Sequence, residues 1–293
     1  MVLKHTRLKV VQNEDSQSIP QVSTPASEPS QAPMPTVVSG PVSRKPSPKI
    51  KMARVSFDRT QETIKSLEQK LNMRLVCYYT SPSSRMDDSH TELFYEHLKT
   101  IGEQEKLGLI IISGGGSPVS ALRIATLLRD YCKFLTAIVP QRAASAATML
   151  ALSANNILMS SAGFLTAIDI SVTHGLAPKA PSGAPVGVSA DQVERVLKML
   201  SDEGAGKDNE GLVEGKFRSI FKYVHPLVIG EIDRSSSASE LIATKLMEMH
   251  SESFGNPEKI KTIATHLVKN YPMHGFPILY DEAVKIGLPA EKV

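Results

Sequence analysis

Leu109-Ile110-Ile111-Ile112-Ser113-Gly114-Gly115-Gly116-Ser117-Pro118 runs from four aliphatic residues directly into three glycines, then into a serine and a proline. The apolar run, bounded by turn residues, reads as a strand buried on both faces. Ser117 can cap a helix that has Pro118 at its first position. A second stretch has the same form. The apolar run Phe134 to Val139 leads into Ala143-Ala144-Ser145-Ala146-Ala147, where small residues again open a helix. In α/β folds such strand-to-helix turns present backbone N–H groups at a helix N-terminus, which can hold an anion or a developing oxyanion. A serine on one turn facing glycines on the other suggests a nucleophile beside its oxyanion hole.

Working outward from these turns, strand and helix patterns alternate. Ser56 to Met73 places Ile64, Leu67 and Leu71 at helical spacing, Leu75 to Thr80 is a short β-type run, and Asp88 to Ile101 is a second helical pattern. The helix after Pro118 has Val119, Leu122, Ala125 and Leu128 as its expected buried face, and a further strand is expected near Ile157 to Met159. Alternation of this kind implies an α/β fold with a parallel sheet and right-handed βαβ crossovers. Past Asp169 the pattern breaks: His174 to Val188 holds three prolines and three glycines without periodicity and reads as a long loop. Helical patterns resume over Ser189 to Leu200, Val213 to Ile232 and Ala238 to Met249, giving a helical C-terminal part. Asn256-Pro257 opens a helix with Ile260, Ile263, Leu267 and Val268 on one face, and Gly287-Leu288-Pro289 closes the last one.

Composition narrows the function classes. The chain has 293 residues and a net charge of +3, but residues 1–52 carry seven Lys or Arg against three acids, so the remainder is near −1. No stripe of cations interleaved with aromatics appears on any expected face, so no nucleic-acid partner is expected. From about Asn13 to Lys51 the chain is rich in Pro, Ser, Gln and Thr, the composition of a disordered segment. The expected organisation is therefore a disordered tail over 1–52 and one folded domain over 53–293. Cys77 and Cys132 lie inside apolar patterns rather than in a spaced ligand set, so buried free thiols are expected, with no metal site and no cofactor. There is no apolar stretch of the roughly 20 residues a membrane helix needs and no signal-peptide pattern, so a cytoplasmic protein without a membrane segment is expected. A phosphate-binding Gly-x-x-x-x-Gly-Lys-Ser/Thr loop is also absent from the sequence.

Taken alone, Ser145 has two readings: a nucleophile, or a small residue that lets a helix start pack closely on a strand. Gly116 and Ser145 are 145 − 116 = 29 residues apart, enough for one helix and one strand, which puts both turns at the same edge of a parallel sheet. The stretch Ser113-Gly114-Gly115-Gly116 with Ser120-Ala121-Leu122-Arg123-Ile124-Ala125 resembles the Thr-Pro-Gly-Gly turn and helix of the serine dehydrogenase proteinase family, within the ClpP/crotonase superfamily. Val139-Pro140 through Ala151 is similar to that family's nucleophile segment, and Phe164 to Asp169 to its Gly-Pro-Val-Asp segment. His274-Gly275-Phe276-Pro277-Ile278, with Glu282-Ala283 and Gly287-Leu288-Pro289, resembles its His-Asp-Tyr-Pro-Ile and Glu-Ala-x-x-x-Gly-Leu-Pro ending. Three positions depart from the pattern: Ala146-Ala147 stand for Gly-Gly, Gly114 for proline, and Gly275 for an acid.

The resemblance implies a serine endopeptidase working through an acyl-enzyme, with a triad in the chain order Ser145, Asp169, His274. It implies an oxyanion hole from the N–H groups of Gly116 and Ala146, with Gly114 and Gly115 along the substrate. The chemistry is coherent, since a serine hydroxyl needs a base of near-neutral pKa and an imidazole needs a carboxylate to fix its tautomer. His174 is an alternative base, and a Ser-Lys dyad through Lys207 or Lys216 is a third arrangement. The implied partners are a peptide or unfolded protein substrate and further copies of the chain in a homo-oligomer. Two other functions share the fold: an inactive scaffold or peptide-binding module, and a crotonase-like enzyme whose two N–H groups polarise an acyl-thioester.

Overall fold

A computed structural model describes residues 56–168, 171–172, 175–184, 186–189 and 223–293, with isolated positions between 192 and 221. The expected tail over 1–52, both Asp169 and His174, and Lys207 and Lys216 lie outside the described residues.

The chain starts as the sequence pattern requires. Ser56 caps α1 (Phe57–Leu71), its hydroxyl accepting from the Arg59 N–H, and Asn72 ends it in the left-handed conformation at φ 49°. β1 (Arg74–Tyr79) follows, then α2 (Asp88–Ile101), capped by Asp87. β2 (Gln104–Ile112), α3 (Pro118–Asp130) and β3 (Cys132–Val139) complete two crossovers. Ser117 caps α3 as expected, accepting from the Ser120 N–H with Pro118 in the first turn. The short β4 (Arg142–Ala143) leads into α4 (Ala146–Leu152), then β5 (Asn156–Met159) and β6 (Phe164–Thr166).

The main sheet has strand order β1-β2-β3-β5-β10, where β10 is Ala290–Lys292, and every neighbouring pair in it is parallel. This mostly parallel sheet with helices between its strands is the expected α/β architecture. Leu107, Leu109 and Ile111 on β2 and Leu135, Ala137 and Val139 on β3 are fully buried, packed in one cluster with Ile124 and Leu128 of α3. Burial of each of the Leu, Ile and Val side chains contributes about 1.5–3 kcal/mol before the entropy of ordering is subtracted. All seven residues of α4 are buried, so its alanines are core residues and its start is fixed from every side.

Several elements differ from the sequence reading. Val119 is 57% exposed; the buried face of α3 is Ser120, Ala121, Ile124, Ala125 and Leu128, one step round the helix. Cys77 is exposed on the edge strand β1, whereas Cys132 is buried as expected. The long loop is closed at its base by a two-residue antiparallel pair, β7 (Ser171–Val172) with β8 (Val188–Ser189). The gap expected between Ile232 and Ala238 is helical: α5 (Pro226–Glu248) runs straight through Ser235-Ser236-Ser237, while Tyr223–His225, inside the first expected helix, are not helical. The serines do not break it because Ser236 and Ser239 are buried and the Ser239 hydroxyl donates back to the Ser235 carbonyl at 3.1 Å. α6 (Pro257–Lys269), capped by Asn256, buries Ile260, Ile263, Leu267 and Val268 as its spacing predicts. Finally, β9 (Pro277–Ile278) joins β4 and β6 in a small second sheet, antiparallel to β6, and α7 (Tyr280–Lys285) leads to β10.

Candidate active site

The two turns singled out in the sequence meet at the C-terminal ends of β2 and β3. Ser113 and Ala143 form an isolated parallel bridge: the Ser113 N–H donates to the Arg142 carbonyl at 2.9 Å and the Ala144 N–H to the Ser113 carbonyl at 3.0 Å. Gly115 then lies against the serine turn at φ +90°. A Cβ built on it would stand 2.5 Å from the Ala144 carbonyl oxygen, 2.9 Å from Ser145 Cβ and 3.0 Å from the Ala146 nitrogen. Only glycine fits that approach. On its other flank the glycine turn pairs with Met86, which donates to the Gly115 carbonyl and accepts from the Ser117 N–H, both at 2.8 Å. Those bonds come from the residues either side of Gly116, which leaves the Gly116 N–H on the face away from Met86. A Cβ on Gly116 would lie 2.3 Å from both the Met86 nitrogen and oxygen, so this position too admits only glycine.

Ser145 carries the least expected backbone geometry in the site. Its φ is 54° and its ψ −119°, and only one other described non-glycine residue, Asn72, has positive φ. Asn72 ends a helix, where the left-handed conformation is cheap for asparagine. Ser145 instead occupies a region that costs on the order of 1–3 kcal/mol for a residue with a Cβ. It also stands at the N-cap of α4 without using its hydroxyl as a cap. Serine at an N-cap ordinarily spends its oxygen on the N2 or N3 N–H; here the turn points that oxygen elsewhere and leaves Ser145 half-buried.

Two buried threonines hold the turn in place. The Thr166 hydroxyl accepts from the Ser145 N–H at 2.8 Å and donates to the Ala167 carbonyl at 3.0 Å. The Thr148 hydroxyl donates to the Ala143 carbonyl at 2.8 Å and accepts from the Thr166 N–H at 3.1 Å. Both side chains are at most 2% exposed, so their hydrogen bonds have no competing water. Behind the glycine turn the Ser113 hydroxyl plays a similar part, accepting from the Gly115 N–H at 3.1 Å and from the Thr80 hydroxyl at 2.9 Å. Tyr78 lies close by; burial pushes its phenol pKa up and the Ser113 hydroxyl only partly offsets this, so the phenol is neutral. None of these supports is marked in the sequence, because Thr148 in a helix pattern and Thr166 in a strand pattern carry no local sign of the partner that each meets.

Of the remaining expected residues, Ala146 is at the first position of α4, where its N–H has no partner within the helix. The Ala146 and Ala147 side chains are 0% exposed and belong to the core, so their methyl groups face the interior. Gly114 is exposed, and a Cβ there would have only the Arg142 guanidinium near it, at 3.5 Å from Nη2. His274 is exposed, in the turn closed by the hydrogen bond from the Phe276 N–H to the Met273 carbonyl. The antiparallel register of β6 and β9 pairs Leu165 with Ile278 and Thr166 with Pro277. The chain leaving Thr166 and the chain arriving from His274 therefore emerge at the same end of that pair. Among the described residues no group of three or more His, Cys, Asp or Glu could hold a metal ion, and no helix is long and apolar enough to cross a membrane.

No protein-family model matches the chain. An uncharacterized protein of Methanocaldococcus jannaschii is 22% identical over 194 residues, covering 66% of this chain and 56% of that protein, so the chain spans little more than half of the relative's length. Among solved structures the chain is similar to a mutant of the membrane-bound stomatin-specific protease 1510-N, at 14% identity and TM-score 0.44, over 75% of this chain and 78% of that one. It is also similar to ClpP1 from Listeria monocytogenes, at 14% identity and TM-score 0.40, over 78% of this chain and 95% of that one.

Proposed function

We propose that the chain is a serine peptidase of the ClpP/crotonase superfamily that cleaves peptides or unfolded protein segments. The observation that carries this is Ser145: a strained serine at a strand-to-helix turn, hydroxyl unspent, with a glycine turn packed against it. Such strain persists where the surroundings enforce it, and it presents an oxygen that a relaxed helix start would bury in its own cap. In this reading Ser145 Oγ attacks the scissile carbonyl. His274 takes the hydroxyl proton and passes it to the leaving amine, and Asp169 holds the imidazole in the required tautomer. Support for that grouping is the β6–β9 pair, which sends the chain towards position 169 and the chain from position 274 out at one end. The N–H groups of Gly116 and Ala146 receive the oxyanion, and water then hydrolyses the acyl-enzyme on Ser145. Within the glycine turn, exposed Gly114 is the position left for substrate, because both backbone groups of buried Gly115 are already bonded to Ser113 and Met86. In this reading copies of the chain self-associate in a homo-oligomer.

Hydrolysis of unfolded casein tests the proposal, comparing the native protein with Ser145→Ala, Asp169→Ala, His274→Ala and His174→Ala after each is shown to fold. Loss of hydrolysis in the first three, with His174→Ala active, is the expected outcome. Loss in His174→Ala with His274→Ala active would reassign the base, and a folded but inert native protein would leave a peptide-binding scaffold.

A further inference from the structure

Two arginines flank the glycine turn without a partner among the described residues. Arg142 is half-buried, and its guanidinium lies over Gly114, with Nη2 3.5 Å and Cζ 3.9 Å from where a Cβ would be. It takes part in no hydrogen bond or ion pair with the described residues. A guanidinium partly withdrawn from water is costly unless an anion joins it, and its planar fork is shaped for a carboxylate. Arg85 is exposed at the other end of the turn, one residue before Met86, whose backbone brackets Gly116. It too is unpaired among the described residues. The acids nearby are already engaged. Asp87 caps α2, its carboxylate accepting from the Ser89 N–H at 3.0 Å and from the Ser89 hydroxyl at 2.6 Å, which holds its pKa down. Asp88 is bound by Arg123 at 2.9 Å and by the Ser120 hydroxyl at 3.0 Å. One cation therefore stands at each end of Gly114–Gly116, and no free carboxylate among the described residues neutralises either.

We propose that Arg142 and Arg85 form an anion-reading rim that selects peptides with a carboxylate within about three residues of the cleaved bond, the span set by roughly 3.3 Å per extended residue. This rests on the peptidase reading above. The carboxylate can come from an Asp or Glu side chain or from the peptide's own C-terminus, and both would bind the same guanidinium fork. A charge-assisted, partly buried contact of this kind should favour the acidic ligand by about tenfold.

The test is protection of Ser145 from a fluorophosphonate probe by matched pools of ten-residue peptides. One pool carries Asp and Glu, the other Asn and Gln at the same positions, and each is made with free and with amidated C-termini. In the native protein the acidic amidated pool should halve the labelling rate at about one tenth the concentration the neutral amidated pool requires. That ratio should fall to near one in Arg142→Met, fall partly in Arg85→Met, and stay as in the native protein in Lys133→Gln, which removes a remote surface cation. A tenfold gain by the neutral pool with free termini, with none for the acidic amidated pool, assigns the terminal carboxylate as the anion. Equal protection by all pools, or by none, in a protein that labels at Ser145 overturns the rim while leaving the peptidase reading standing. Failure to label at all removes both.

Discussion

Thr166→Val tests whether the strained serine is held by the bond identified here. The replacement keeps the shape of a side chain that is 2% exposed but deletes the oxygen that accepts from the Ser145 N–H and donates to the Ala167 carbonyl. Stranding a buried polar group costs on the order of 1–3 kcal/mol, so a loss of about 2 kcal/mol is expected once the better burial of valine is allowed for. For a domain of this size 1 kcal/mol moves Tm by about 2–4 °C, so Tm should fall by about 4–8 °C. The larger effect should be on reactivity. With its tether gone, Ser145 can relax from φ 54° and recover some of the roughly 1–3 kcal/mol stored there, turning its hydroxyl into the cap of α4. Fluorophosphonate labelling at 25 °C, where both proteins remain folded, should then slow by about tenfold or more, since each 1.4 kcal/mol is a factor of ten. Thr126→Val, an exposed helix position, should change neither quantity. Labelling at the native rate in Thr166→Val, with Tm lowered as expected, would refute the claim that this bond sets the geometry of the nucleophile.

Ser145→Gly should raise Tm by about 2–6 °C while abolishing labelling, because glycine adopts the turn without the strain of a Cβ; an unchanged or lower Tm would argue against strain at this residue. Gly116→Ala should be strongly destabilising, since its methyl would collide with the Met86 backbone at 2.3 Å, whereas Gly114→Ala, facing only a flexible arginine at 3.5 Å, should keep the native Tm. Thermal melts of the pair would separate them. His250 predicts an acid-sensitive core. It is 1% exposed, its Nε2 lies 3.0 Å from the Leu152 carbonyl, its Nδ1 has no partner among the described residues, and burial lowers its pKa from 6.5 to about 4. The unfolded chain therefore binds this proton first, so His250 costs no stability above about pH 6.5. Below that the folded state loses stability down to about pH 4, by roughly 3 kcal/mol in all. Chemical denaturation between pH 7 and 4 should show a shallower decline in His250→Gln than in the native protein, and parallel declines would contradict the assignment.

Much of this architecture was legible because it depends on local rules. Ser117-Pro118 and Asn256-Pro257 announce their helices through capping chemistry, and the aliphatic runs of β2 and β3 announce strands of the core. The reading failed where tertiary contacts override local preference. Three consecutive serines look like a helix break, but in α5 the buried Ser236 and Ser239 let the helix continue through them. Val119 and Ser120 trade places because the face of α3 that meets the core is set by α2 and α4, not by hydrophobicity alone. β10 went unseen because Ala-Glu-Lys has little strand character; its pairing with β5 supplies what its composition lacks. Within the site, the two turns were visible because each is a run of small residues set directly between an apolar strand pattern and a helix start. The conformation of Ser145, the paired threonines and the position of Arg142 over Gly114 were not, since each is a relation between residues distant in sequence.

The central claim is that Ser145 is an activated nucleophile served by His274. It is tested most directly by treating the folded protein with a fluorophosphonate, at several concentrations so that assembly is sampled, and mapping the modified residue. The account predicts a single adduct on Ser145, absent in Ser145→Ala and strongly slowed in His274→Ala, with a surface serine change such as Ser84→Ala having no effect. A folded protein that stays unmodified in every assembly state, or that labels equally well after Ser145→Ala, would contradict it.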